Sequence, residues 1–298
     1  MKEYQFKKID AFATTHSEGN PAGYIKLESK NDISAIEMLQ IAQELKGFVN
    51  EVGYVTRIND DTFDMKYYSS EREVDFCGHA TIAIMYNVIK NDASLLNTKT
   101  LTIKTNKGHL TVENHLVKEN AVFIMAPIPE EKGNTPTIDA IAASLNIEKE
   151  EIETKLPIKS INAGLTTLIV PIKSLNHILK INPDIEILKD FCIHNNIDII
   201  EVFTDDVSSN QSDFRVRVFA PTFGYLEDPA TGSGNSALGY YLIKNKMWAN
   251  ETITIEQNGL RDTFNIVKLQ RTIDDNSMDR VLFGGGAINR IEGKYILH

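Results

Sequence analysis

Two glycine turns carrying titratable groups stand about 150 residues apart in this chain: Cys77-Gly78-His79 and Asp228-Pro-Ala-Thr-Gly232-Ser233-Gly234. Pro229 biases Asp228 away from the helical region, so the chain enters the second turn extended. Gly232 and Gly234 then let the backbone turn sharply. Each turn runs into a segment of helical character, Ile82 to Lys90 and Ser236 to Lys244. A helix that starts there offers unpaired amides and a positive dipole end to an anion. An ordinary capped turn satisfies the same pattern. His79 would donate to a ligand or carry a proton, or merely cap the helix. Asp228 would orient that histidine, hold a substrate amine or hydroxyl, or act as an acid; its structural alternative is an Asx turn. Ser233 is outside any G-x-S-x-G elbow, so it reads as a ligand-binding or N-capping hydroxyl rather than a nucleophile.

Glu51 is the third candidate. In the strand-like run Asn50 to Thr56 it shares a face with Val49, Gly53 and Val55, and a carboxylate there is costly to bury without a partner. Burial would raise its pKa toward the neutral range that suits a general base; a solvated edge position is the alternative, and Glu201 shows a similar pattern. Cys77 at a helix start suggests a reactive thiol, whereas Cys192, inside the helix-like run Ile187 to Ile193, reads as core.

These groups sit in a chain of 298 residues, 42% hydrophobic and 24% charged, which is ample for one large or two ordinary domains. A net charge of −10 disfavours nucleic acid as a partner. No apolar run reaches a membrane span and the start lacks a signal-peptide core, so a soluble, cytoplasmic chain is expected. Two cysteines and seven scattered histidines predict neither a disulfide framework nor a metal site. Gly284-Gly-Gly-Ala-Ile-Asn289 does not make a dinucleotide fingerprint.

The elements that would position the candidates recur. Strands are expected at Lys7–Phe12, Ala22–Lys26, Asn50–Thr56 and Phe63–Tyr68, with a hairpin from Leu101–Lys104 and Leu110–Glu113. Asn31-Asp32 is read as the cap of a helix through Leu45 with Ile36, Leu39, Ala42 and Leu45 on its buried stripe. Phe63 to Lys90 resembles Phe214 to Lys244, Leu101 to Asn106 resembles Ile253 to Asn258, and Ile9 to Phe12 resembles Ile161 to Gly164, all about 150 positions apart. Asn50-Glu51-Val52 has a counterpart in Ile200-Glu201-Val202, 150 positions on. The expected organisation is an internal repeat: an N-terminal lobe over 1–126 with a tail near 288–298 packing back onto it, a connection over 127–157 carrying a helix at Ile138–Leu145, and a C-terminal lobe over 158–287. A two-fold arrangement would turn both helix starts toward one interlobe cleft suited to a carboxylate-bearing small molecule.

Phe76-Cys-Gly-His-Ala-Thr81 together with Glu227-Asp-Pro-Ala-Thr-Gly-Ser233 resembles the phenazine-biosynthesis PhzF-like family. Asp10-Ala-Phe12 with Gly19-Asn20-Pro21, and Gly284-Gly-Gly-Ala287 with Glu292-Gly293, extend the likeness over nearly the whole chain. The resemblance implies an α+β fold of two pseudo-symmetric diaminopimelate-epimerase-like lobes, strands wrapped about a central helix in each. It also implies a cofactor-independent isomerase, often a homodimer. In the family's characterised member a glutamate shuttles a proton on trans-2,3-dihydro-3-hydroxyanthranilate; by motif position that group is Glu51. His79 and Asp228 would assist catalysis, and Asn20, Gly78, Gly232 and Ser233 would bind substrate. The sequence departs from the family pattern at Asn50, at Ser69-Ser70 and at Asn258 to Asp262, so the reading keeps the reaction class rather than the phenazine precursor. A Cys77-dependent amino-acid racemase or epimerase and a non-catalytic ligand-binding protein are the competing readings.

Overall fold

The computed structural model describes residues 1–133 and 135–298. Two compact units form, one from Met1–Met125 with Gly284–His298, the other from Ala126–Phe283. No helix among the described residues is long and apolar enough to cross a membrane.

The first unit contains β1 (Lys2–Ala11), β2 (Asn20–Leu27), α1 (Ala35–Glu44), β3 (Glu51–Arg57), β4 (Thr62–Ser69), β5 (Glu73–Val74), α2 (Gly78–Lys90), β6 (Thr100–Thr105), β7 (Gly108–His115), α3 (Leu116–Glu119) and β8 (Ala121–Met125). The C-terminal strand Ala287–Leu297 pairs antiparallel with β1 along its full length. β2–β3 and β4–β6 are parallel pairs; β1–β2, β3–β4 and β6–β7 are antiparallel. α2 lies among them with Ala80 to Asn87 and Ile89 all buried. A helix apolar on every side needs such a surround.

α1 is capped by Ser34, not by Asn31-Asp32: Ser34 Oγ accepts from the Glu37 amide while Glu37 accepts from the Ser34 amide, a reciprocal capping box. Met38, Ile41 and Ala42 are the residues that pack into the core with Val52 and Tyr54, and Ile36, expected on that stripe, is 81% exposed.

The second unit contains β9 (Glu130–Lys132), α4 (Ile138–Leu145), β10 (Lys159–Asn162), β11 (Thr166–Pro171), α5 (Leu175–Lys180), α6 (Ile185–His194), β12 (Ile199–Thr204), β13 (Phe214–Phe219), β14 (Glu227–Asp228), α7 (Gly232–Lys244), β15 (Thr252–Gln257), β16 (Asn265–Ile273) and β17 (Asp279–Gly285). Here β11–β12 and β13–β15 are parallel, and β10–β11, β12–β13 and β15–β16 antiparallel. α7 is buried from Gly234 to Leu242. The stretch expected as a connection, 127–157, is part of this unit. Ile141, Ala142 and Leu145 of α4 join Ile152, Leu168, Val170, Ile200 and Val202 in one core, as does Cys192.

The strand registers relocate one expected match. Ala22 lies opposite Ile9 on one side and Glu51 on the other. Thr167 lies opposite Ile161 and Ile199. The rung that Glu51 occupies in its unit is thus filled by Ile199 in the second, and Glu201 stands two residues further on. A local three-residue likeness misplaced it, because strand register is set by the whole ladder and not by a short string.

Candidate active site

In the first unit three chemistry-bearing side chains converge at the start of α2. Glu51 is the first residue of β3, and β3 packs against α2 closely enough that a Cβ on Gly53 would fall 2.2 Å from Ile84 Cδ1. The turn into α2 is anchored from β4: Thr81 Oγ1 donates to the Cys77 carbonyl at 2.7 Å, which leaves the buried Tyr67 hydroxyl to donate to Thr81 at 2.6 Å. Cys77 occupies the N-cap position, extended, and no side chain caps the helix. The first amides of α2 therefore keep their capacity for an anion.

Cys77 Sγ lies 3.4 Å from His79 Nδ1, and His79 Nε2 lies 3.2 Å from Glu51 Oε2. Only 13% of the His79 side chain and 22% of the Glu51 side chain are exposed. The contact between them is an ion pair but not a well-aligned hydrogen bond, since Glu51 Oε2 is buried without a hydrogen-bond partner among the described residues. Asn20, on β2, is buried and accepts from Asn50 Nδ2 at 3.3 Å, which ties it to the residue preceding Glu51.

Burial pushes the Glu51 carboxyl up, but His79 and Cys77 outweigh it, and its pKa lies below the usual carboxylate range. This reverses the expectation of a raised carboxyl, for burial was legible in the sequence and a cation 3.2 Å away was not. For His79 burial works downward, yet the Cys77 sulfur and the Glu51 carboxylate hold it well above the ordinary histidine value. Burial and the Glu51 charge raise the Cys77 thiol. These directions favour an ionised Glu51 beside a protonated His79.

In the second unit the corresponding turn leads into α7. Thr231 is the N-cap residue, and its side chain does not cap the helix. Its hydroxyl donates instead to Asp228 Oδ2 at 2.6 Å. Ser233 lies inside the first turn and so does not fill the N-capping role expected of it. Gly232 has Phe283 so close that an added Cβ would meet its ring at 2.5 Å, and Gly164 packs against Ser233.

Gln257, at the end of β15, was not among the residues singled out, yet it holds this turn together. It is fully buried; Nε2 donates to the Asp228 carbonyl (2.9 Å) and to Thr231 Oγ1 (3.0 Å), and Oε1 accepts from the Thr231 amide (3.0 Å) and Asn235 Nδ2 (2.8 Å). A glutamine ending a strand carries no signal in a single sequence. Gln257→Leu leaves the Thr231 amide and the Asp228 carbonyl without the bonds Gln257 makes to them, takes one of two acceptors from Asn235 Nδ2, and is expected to cost about 2–5 kcal/mol in urea unfolding. A loss below about 0.5 kcal/mol would show the turn to be held otherwise.

Across residues 9–293 the sequence matches the family of phenazine biosynthesis-like proteins. The chain belongs to this PhzC-PhzF family. It is 28% identical over 312 residues to an uncharacterized isomerase of Clostridium acetobutylicum, covering all of both chains. Its fold matches that of a PhzF-family phenazine biosynthesis protein of Bacillus anthracis with a TM-score of 0.87 over the full length of both chains, at 24% identity. A hydroxyproline epimerase of Agrobacterium vitis with bound trans-4-hydroxy-L-proline shares the fold at a TM-score of 0.58 and 10% identity, over 99% of this chain and 91% of the other. The α+β architecture is thus that of PhzF and epimerase-like proteins.

Proposed function

We propose that this PhzF-family chain is an isomerase that shifts a proton on a small carboxylate-bearing metabolite, with Glu51 taking the proton and His79 giving one back. The observation that carries the reading is the half-buried Glu51–His79 pair, 3.2 Å apart at the uncapped start of α2. At rest the pair holds one proton. Abstraction from substrate carbon places a second on Glu51, which ends its charge attraction to His79 and frees either group to return a proton at a neighbouring atom. No cofactor enters this scheme. The amides at the start of α2 suit a substrate carboxylate. Asn20, which pairs with Asn50, and Gly78 at the start of α2 are the groups of the same unit proposed to hold and orient substrate; Asp228, Gly232 and Ser233 lie in the second unit, at the start of α7. The name borne by the Clostridium relative and the small cyclic acid bound by the Agrobacterium epimerase support this reaction and substrate class.

The Cys77-dependent reading draws on the 3.4 Å approach of the sulfur to His79, but a raised thiol pKa favours the protonated, unreactive form. Activity that survives Cys77→Ala removes that alternative.

The direct test is incorporation of solvent deuterium into a panel of small cyclic and amino-acid carboxylates. Its pH profile has a definite shape. Activity needs Glu51 ionised, so its acid limb lies below the ordinary carboxyl value of 4.5; it needs His79 protonated, so its alkaline limb lies well above 6.5. In His79→Asn the chief cause left acting on Glu51 is burial, which raises its pKa, so the acid limb should move to higher pH and the alkaline limb should vanish. A His79→Asn profile superimposable on that of wild type would remove His79 from the proton path.

A further inference from the structure

We propose that Glu51, Cys77 and His79 form a binding site for a borderline-soft divalent cation, zinc being the best fit, whose occupancy blocks the proton-transfer pair. The binding claim stands on geometry; the blocking claim rests on the isomerase reading.

Each of the three residues offers a donor atom, and the donors all lie within 4.8 Å of one another. Histidine spacing gave no hint of them, because the carboxylate comes from β3 and the thiol and imidazole from the turn before α2. Zinc bonds of about 2.0–2.1 Å to nitrogen, 2.0–2.2 Å to carboxylate oxygen and 2.3 Å to sulfur, at tetrahedral angles, require an N···O separation of about 3.3 Å and an S···N separation of about 3.6 Å. His79 Nε2 and Glu51 Oε2 are 3.2 Å apart, and Cys77 Sγ and Nε2 are 4.0 Å apart. One donor pair is therefore already placed; Cys77 Sγ lies nearer Nδ1, at 3.4 Å, and reaches a metal on Nε2 only when the imidazole turns about its Cβ–Cγ bond. Glu51 Oε2 is also a buried oxygen without a hydrogen bond, the kind of atom a cation satisfies.

Donor chemistry narrows the ion. A thiolate and an imidazole select zinc, cobalt or copper over magnesium and calcium, which prefer all-oxygen sites. Three protein donors leave the fourth tetrahedral position open to water or a carboxylate ligand. Cys77 binds as thiolate and His79 as neutral imidazole, their protons passing to solvent. Both atoms assigned to proton transfer, Glu51 Oε2 and His79 Nε2, are then engaged by the metal.

The experiment adds Co²⁺ to the full chain and records the near-ultraviolet thiolate-to-cobalt absorption. One equivalent should bring up the band together with tetrahedral visible bands, and Zn²⁺ should displace both. Cys77→Ser and His79→Asn should abolish the tetrahedral thiolate spectrum, and Cys192→Ala should keep it. Glu51→Gln should keep the band and weaken binding by at least the roughly 10–100-fold seen when groups that merely orient a ligand are removed. Zn²⁺ should also protect Cys77 from alkylation in the wild-type chain, a readout that does not depend on how any variant folds. No band in the natively folded chain, a band that survives Cys77→Ser, or alkylation unaffected by Zn²⁺ each overturns the site. Deuterium exchange that is undiminished with zinc bound overturns the blocking claim alone. A metal-free chain inert toward every substrate that still shows the cobalt spectrum instead counts against the isomerase reading and leaves the site in place.

Discussion

Glu51→Gln lowers solvent-deuterium incorporation by about 10²- to 10⁴-fold, the contribution typical of a positioned acid–base group. Glutamine matches the shape of the side chain at the start of β3 but has no basic oxygen with which to take a proton from carbon. The change acts twice, because His79 also loses the carboxylate 3.2 Å from Nε2. Burial, which works against the imidazolium, then carries more weight, and the histidine pKa falls. The rate loss should therefore fall mainly on kcat, with KM little changed, since the groups proposed to hold the substrate carboxylate are backbone amides of α2 that the substitution leaves in place. The stability of the variant, measured in parallel, separates a chemical loss from a folding one. Exchange at the wild-type rate in a folded Glu51→Gln chain would sink Glu51 as the base.

Much of this site could be read from the sequence because its parts are local. Glycine turns before apolar runs of helical length mark helix starts, and Cys77-Gly78-His79 and Gly232-Ser233-Gly234 both prove to open 13-residue helices. What the sequence does not carry is the approach of groups from different elements. Nothing within β3 states that a histidine 28 positions later will stand beside Glu51, so the direction of its pKa shift was beyond reach although its burial was not. Gln257 is a similar case. Its four hydrogen bonds lie within the Asp228–Asn235 turn, more than 20 positions away, and no pattern in β15 announces them. The errors in local structure have a different origin. Asn31, Asp32 and Ser34 are all competent caps, and the choice fell to the one with Glu37 three residues on.

Glu201 yields the second large effect, on stability and not on chemistry. Its side chain is fully buried and neither carboxyl oxygen has a hydrogen-bond partner among the described residues. It faces the first turn of α7 so closely that a Cβ on Gly234 would come within 2.5 Å of Oε2. Burial holds its pKa well above the ordinary 4.5, so the folded chain keeps this proton at pH values where the unfolded chain has released it. With more protons bound in the folded state, stability falls as pH rises. The stabilising contribution is complete below about pH 4.5 and is lost at about 1.4 kcal/mol per pH unit until the folded-state pKa is reached. Glu201→Gln cannot titrate. Urea unfolding of variant and wild type at about pH 5 and pH 7 should show their difference shifting in favour of the variant, by at most about 2.7 kcal/mol. Parallel stability curves would mean that Glu201 is ionised in the folded chain and compensated. The same comparison separates this carboxyl from Glu51, whose lowered pKa contributes with the opposite sign: its stability is present above about 4.5 and lost as pH falls. Two glutamates, each near the start of its unit's central helix, thus respond to pH in opposite directions, because one has a histidine beside it and burial alone acts on the other.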